Sequence, residues 1–213
     1  MHIYRINFLF LMLFATSNVF AAYYPTSSWE ISFPEDQQVR TDNVDALVNL
    51  AFLDDSTQAV VVIKNGKIIS EKYAEGYDKN SHGTSWSMAK SYYAALIGIS
   101  IDRGEIGGLD DKVGDYLTYF NDERSEITIR DLLDMSSGLD FPKDEHETMF
   151  FQEDHLKYAM GVGVEKSAGL KFEYNNVNSM LLGDILIATT GKKADELLKE
   201  RILDPIGVTD YKL

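Results

Sequence analysis

The sharpest patterning in the chain lies between residues 58 and 73. Gln58-Ala-Val-Val-Val-Ile-Lys64 and Lys67-Ile-Ile-Ser-Glu-Lys-Tyr73 flank Asn65-Gly66. Asn-Gly between two β-rich runs suits a two-residue turn with positive φ, so the pattern predicts a β-hairpin. Val60, Val62 and Ile68 alternate with Val61, Ile63 and Ile69, which makes both faces apolar. A lone two-stranded hairpin is marginal in water. This one therefore reads as the covered part of a larger sheet. No further convincing strand follows before Leu213, so the chain is expected to be the N-terminal part of a longer protein.

The remaining apolar positions recur with a helical period. An extended stretch, Tyr23-Tyr-Pro-Thr-Ser-Ser-Trp29, leads to Thr41-Asp42, which reads as the cap of a helix with Val44, Leu47, Val48 and Ala51 on one face. Residues 87–102 are densely apolar and predict a largely buried helix ended at Arg103-Gly104. Thr128 can cap a helix over 129–135, stopped by Gly138. Residues 150–160 read as another helix. Residues 175–190 read as one with Met180-Leu-Leu and Ile185-Leu-Ile in its core, ended by Gly191. A last helix over 192–203 stops at Pro205 and Gly207. The order is helix, hairpin, then almost all helix.

The first residues stand apart. Met1-His-Ile-Tyr-Arg5 is a basic start, Phe8-Leu-Phe-Leu-Met-Leu-Phe14 is apolar, and Val19-Phe20-Ala21 is a small-x-small cleavage site. This is the layout of a secretory signal peptide, 1–21, too short for a confident membrane span. A buried N-terminal strand or helix is the competing reading. The chain has no cysteine, which excludes a disulfide framework and a thiolate zinc site. Export without disulfides or Asn-x-Ser/Thr acceptors suits a periplasmic or secreted protein. The formal net charge of −14 disfavours nucleic acid and anionic lipid as partners.

Chemistry concentrates at Ser87-Met-Ala-Lys90, the one Ser-x-x-Lys in the chain. A serine and a lysine three apart on a helix share a face, with Cβ atoms about 5–6 Å apart. Lys90 could take the hydroxyl proton of Ser87, which would make an activated nucleophile. The helix start would also favour a developing oxyanion, and partial burial would make Lys90 a better base. The plain alternative is a surface Ser and Lys on a helix. Tyr174-Asn175-Asn176 opens another helix. Tyr174 is either a proton carrier beside Lys90 or a core tyrosine next to an ordinary Asn cap, and Asn176 is a candidate polar anchor for a substrate amide or for Lys90. His82, His146 and His155 have no metal-ligand spacing, and Asp110-Asp111 and Asp144-Glu-His-Glu147 read as solvated charge.

Beyond the two short motifs, a longer series in order carries a resemblance. It runs through Ser87-Met-Ala-Lys90-Ser, Gly104-Glu-Ile, Leu109-Asp-Asp-Lys-Val and Ile127-Thr-Ile-Arg-Asp-Leu-Leu-Asp-Met-Ser-Ser-Gly-Leu139. It continues through Phe172-Glu-Tyr-Asn-Asn-Val-Asn178, Leu181-Leu-Gly-Asp-Ile and Asp204-Pro-Ile-Gly207. Over this span the chain resembles serine hydrolases of the class C β-lactamase and penicillin-binding type. The Leu132-Leu-Asp-Met-Ser-Ser-Gly138 stretch, with Met135 where many relatives carry histidine, looks more like the 6-aminohexanoate-dimer hydrolase branch than true β-lactamases.

The resemblance implies an α/β (α+β) fold, a helical domain plus an antiparallel sheet of which only the N-terminal hairpin is present. It implies one β-lactamase-related domain, 22–213, without its C-terminal strands. Ser87 would be the nucleophile, Lys90 the base, Tyr174 the acid/base partner, and Asn176 a substrate contact. No metal or organic cofactor is implied. The partner is a small-molecule or short peptide substrate with an amide, ester or lactam carbonyl. The family's His/Lys-x-Gly strand has no counterpart here. It would supply a second oxyanion donor, whose loss costs about 2.7–4 kcal/mol, so the chain alone is expected to be weakly active. The alternative from another class is a non-catalytic relative that binds peptidoglycan peptides or a protein partner.

Overall fold

The computed structural model describes residues 24–25, 28–141, 149 and 151–212. The predicted leader and the Asp144-Glu-His-Glu147 cluster lie outside them. Two compact units are present, Met1–Ser81 and His82–Leu213.

In the first unit the predicted hairpin forms. β1 (Ala59–Lys64) and β2 (Lys67–Tyr73) are antiparallel, with Lys64 opposite Lys67 and an irregularity between Val62 and Ile63. Asn65 and Gly66 both adopt positive φ, 51° and 77°, which matches the right-handed strand twist. The chain before it also contributes. Ile68 donates its N–H to Glu30 O and accepts from Ser32 N, both at 2.9 Å, in a parallel bridge. Helix α1 (Thr41–Ala51) covers one face of the hairpin, packing Val44 and Val48 on Ile69 with Val60 and Val62 alongside. The other face leaves Val61 and Ile63 exposed. Two expectations are corrected. Thr41 is the first helical residue, not the cap, and its N–H is taken by Glu35 Oε1 at 3.1 Å. Leu47 is exposed, because the covered stripe is only as wide as Val44 and Val48.

The second unit is helical. Its elements are α2 (Ala89–Asp102), α3 (Ile129–Leu133), α4 (His155–Gly161), α5 (Asn176–Thr190) and α6 (Ala194–Leu198). α5 is the hub and packs against α2, α3 and α4. Leu181, Leu182, Ile185 and Leu186 of α5 are buried against Leu96 and Ile97 of α2 and Leu132 of α3. Each such side chain contributes about 1.5–3 kcal/mol on burial. Met180 is only half-buried and Ile187 is exposed, so the core stripe of α5 is narrower than its sequence suggests.

Boundaries shift for identifiable reasons. Before α2 comes a 3₁₀ turn, Trp86–Met88, so Ser87 precedes the α-helix proper. Thr128 caps α3 as expected, accepting from Asp131 N while Asp131 accepts from Thr128 N. Gly138 does not end α3. Met135 does, at φ 55°, with Ser136 N bonded to Asp131 O at 2.8 Å. α4 starts only at His155, where the Asp154 carboxylate accepts from Lys157 N. The last predicted helix is α6 followed by a π turn, Lys199–Leu203. Asp110 and Asp111 are not merely solvated. Asp110 pairs with Arg130 Nε at 2.8 Å, and Asp111 accepts from Gly108 N and the Tyr116 hydroxyl.

The π turn aims Arg201 into the unit. Its side chain is 4% exposed and donates to both carboxylate oxygens of Glu105, at 2.7 and 2.8 Å, and to Ser100 Oγ at 3.0 Å. Ser100 lies on α2, so this clamp ties the end of that helix to the last turn of the chain. Its Nε is buried without a partner among the described residues. Hydrogen bonding from Arg201 holds the Glu105 carboxyl below its usual 4.5. A depressed carboxyl stabilises the fold above its unfolded pKa, and that contribution disappears as pH falls through the folded value. Glu105→Ala strands a buried guanidinium and is expected to cost about 3–5 kcal/mol in urea unfolding. It should also flatten the loss of stability on acidification below about pH 4.5.

Candidate active site

Three of the four residues singled out from the sequence come together. Ser87 Oγ lies 2.6 Å from the Tyr174 hydroxyl, either oxygen being able to donate. Lys90 Nζ donates to Ser87 Oγ at 3.3 Å and sits 4.9 Å from the centre of the Tyr174 ring. All three belong to the second unit. Ser87 is exposed, Lys90 is half-buried, and Tyr174 is 43% exposed. The Ser87 side chain is therefore open to solvent, while that of Lys90 is partly covered.

The local backbone explains the arrangement. The 3₁₀ turn carries Ser87, and α2 begins two residues later, so Lys90 falls in its first turn on the Ser87 side. Trp86, just before the serine, has φ 44°. A bulky residue in the left-handed region costs about 1–3 kcal/mol and persists only where its surroundings fix it. Met88 N–H bonds to Ser85 O at 3.0 Å, whereas Ser87 N–H has no acceptor among the described residues. That free donor, at the positive end of α2, can receive a developing oxyanion.

Burial is the largest single influence on the Tyr174 phenol and raises its pKa. The hydrogen bonds from Lys90 and Ser87, with the Lys90 charge, outweigh it and hold the phenol below its usual 10. Lys90 forms no ion pair among the described residues, so no carboxylate competes with the two hydroxyls for it.

Asn176 is the exception. It is the first residue of α5, half-buried, and its side chain makes no hydrogen bond to Lys90 or to any other described residue. The neighbouring Asn175 has the structural role. It is 3% exposed, its Oδ1 accepts from Val177 N at 2.9 Å, and its Nδ2 donates to Leu139 O at 3.0 Å. The motif thus combines an ordinary Asn cap with a Tyr174 that is too exposed to be a core tyrosine and whose hydroxyl reaches Ser87. Sequence reading missed Ser137 and Asn178. Ser137 Oγ donates to Asn178 Oδ1 at 2.7 Å, and both are buried. A polar residue inside the apolar run of α5 was the available signal. His82 pairs with Asp210 at 2.8 Å. No group of His and acidic side chains placed to hold a metal occurs among the described residues, and no helix there is long and apolar enough to cross a membrane.

An exposed serine hydroxyl beside an amine and a phenol, ahead of a helical core, is an arrangement that can serve serine-hydrolase chemistry. The beta-lactamase family matches residues 53–213, and the chain belongs to that family. It is 28% identical over 175 residues to a D-aminopeptidase of Brucella anthropi, covering 73% of this chain and 32% of the relative. A 6-aminohexanoate-dimer hydrolase homologue of Bacillus anthracis superposes with a TM-score of 0.63 at 22% identity, over 75% of this chain and 46% of that one. A class C beta-lactamase variant gives 0.59 at 20% identity, over 78% and 48%. The chain thus spans a third to a half of these proteins' lengths, and the two structural matches establish the β-lactamase-like fold.

If Lys90 lowers the Tyr174 phenol, Lys90→Met should move its titration upward, toward 10. Ring-carbon NMR of labelled tyrosine reads this directly, and an unmoved titration would remove Lys90 as the cause. In the wild type the stabilisation tied to the Tyr174 phenolate grows as pH rises through the depressed pKa and is complete above 10.

Proposed function

We propose that the whole protein is an exported serine hydrolase that works through an acyl-enzyme on an amide, ester or lactam carbonyl. The observation that carries this is the contact of Ser87 Oγ with both Tyr174 Oη at 2.6 Å and Lys90 Nζ at 3.3 Å. Family membership supports the same reaction class.

Ser87 Oγ attacks the carbonyl carbon, and its proton passes to Tyr174 or Lys90 as the C–O bond forms. The oxyanion is met by Ser87 N–H. Collapse of the tetrahedral adduct breaks the bond to the amine or alcohol, which leaves with that proton. Water then attacks the acyl group, the Tyr174 and Lys90 pair removes its proton, and Ser87 is regenerated. Asn176, whose side chain has no hydrogen-bond partner among the described residues, is assigned to a polar group of the substrate.

Similarity to a protein named D-aminopeptidase supports an amide carbonyl among these substrates. The partner is a small molecule or short peptide, no metal or organic cofactor takes part, and neither nucleic acid nor stable membrane insertion is involved. The leader read at 1–21 supports a periplasmic or secreted location.

In protein expressed from its complete reading frame, a fluorophosphonate probe should label Ser87, and Ser87→Ala should abolish labelling. Unlabelled wild type, or equal labelling of Ser87→Ala, removes Ser87 as nucleophile and leaves the non-catalytic binding reading.

A further inference from the structure

Tyr174 is not part of a regular element, yet it meets Ser87 Oγ at 2.6 Å from 87 residues away. Its placement rests on its two neighbours. Glu173 N–H donates to Met135 O at 2.7 Å. Asn175 Nδ2 donates to Leu139 O at 3.0 Å. Residues 135–139 thus hold the chain on both sides of the tyrosine, by the Glu173 backbone and the Asn175 side chain.

That segment is itself fixed from within. Ser137 Oγ donates to Asn178 Oδ1 at 2.7 Å, and Asn178 Nδ2 reaches Met135 Sδ at 3.5 Å. Ser137, Asn175 and Asn178 are 2%, 3% and 0% exposed. Met135 is held at φ 55°, which turns its carbonyl out of the α3 ladder and toward Glu173. The Asn175 amide is used at both ends, its oxygen on Val177 N and its nitrogen on Leu139 O. A helix cap needs only the oxygen. The nitrogen is the part of this side chain that reaches outside its own helix.

We infer that Asn175 is a positioning residue for the Ser87 chemistry, fixing the Tyr174 hydroxyl against Ser87 by tying the start of α5 to Leu139. The inference rests on the serine-hydrolase reading of that site. Reactive geometry is steep in distance, and a displacement of about 1 Å can lower a rate about 100-fold. A cap alone would affect stability and leave the geometry at Tyr174 unchanged.

Asn175→Asp keeps the capping oxygen and replaces the donor to Leu139, and Asn175→Ser keeps a short cap that cannot span to it. Val48→Ala, in the separate small core of α1 and the hairpin, is the destabilised control. Two measurements are made on folded protein from the complete reading frame: the rate of fluorophosphonate labelling of Ser87 against pH, and the ring-carbon titration of Tyr174. Asn175→Asp and Asn175→Ser should label about 10–100-fold more slowly. The Tyr174 titration should move up toward 10, whereas Val48→Ala should change neither. If Asn175→Asp does not fold, Asn175→Ser decides. Labelling within about twofold of wild type with an unmoved titration overturns the inference. If wild type is not labelled at all, the hydrolase reading fails, and the Tyr174 titration alone decides whether Asn175 positions the phenol.

Discussion

A hydrogen bond between side chains 87 residues apart is only as good as the two mounts that hold its ends, and the Ser87–Tyr174 contact imposes that condition on the whole second unit. On one side the mount is a helix. Ser87 sits in the 3₁₀ turn before α2 and Lys90 in the first turn of that helix, with a left-handed Trp86 setting the approach of the chain. On the other side the mount is an irregular segment, whose order must come from hydrogen bonds rather than from a ladder. The backbone from 135 to 140 meets that need by bonding successively to Gly163, Glu165, Lys166, Gly169 and Glu173.

The same helix is held at its far end. Ser100 of α2 receives Arg201, which also clamps Glu105 just beyond the helix. A buried ion pair of this kind is weak evidence for net stability, because desolvation offsets much of the attraction. Its value here is geometric, since bidentate contacts fix direction as well as distance. The α2 axis is set near Arg201, and the apolar contacts of α5 fill the space between.

Much of this was legible in the residues. Asn65-Gly66 specified the hairpin because few other pairs accept positive φ twice. Gly191 and Asn175 bounded α5 within a residue, since cap chemistry is local. Ser87 and Lys90 could be paired from spacing alone, whereas Tyr174 was one of two readings until the longer resemblance joined it to them. What stayed hidden was non-local. Nothing near Met135 announces a left-handed methionine, because its conformation is set by the contacts its carbonyl and Ser136 make elsewhere. Leu47 and Ile187 fitted an apolar stripe, yet each lies at its margin, where periodicity cannot tell covered from open.

Gly138 draws these threads to one atom that is missing. At φ 72°, a Cβ there would stand 2.0 Å from the carbonyl oxygen of Lys166, which is backbone and cannot swing aside. In a saturation library this position should therefore accept glycine alone, although it is none of Ser87, Lys90 and Tyr174. Selection would record it as essential, for the room that it leaves empty.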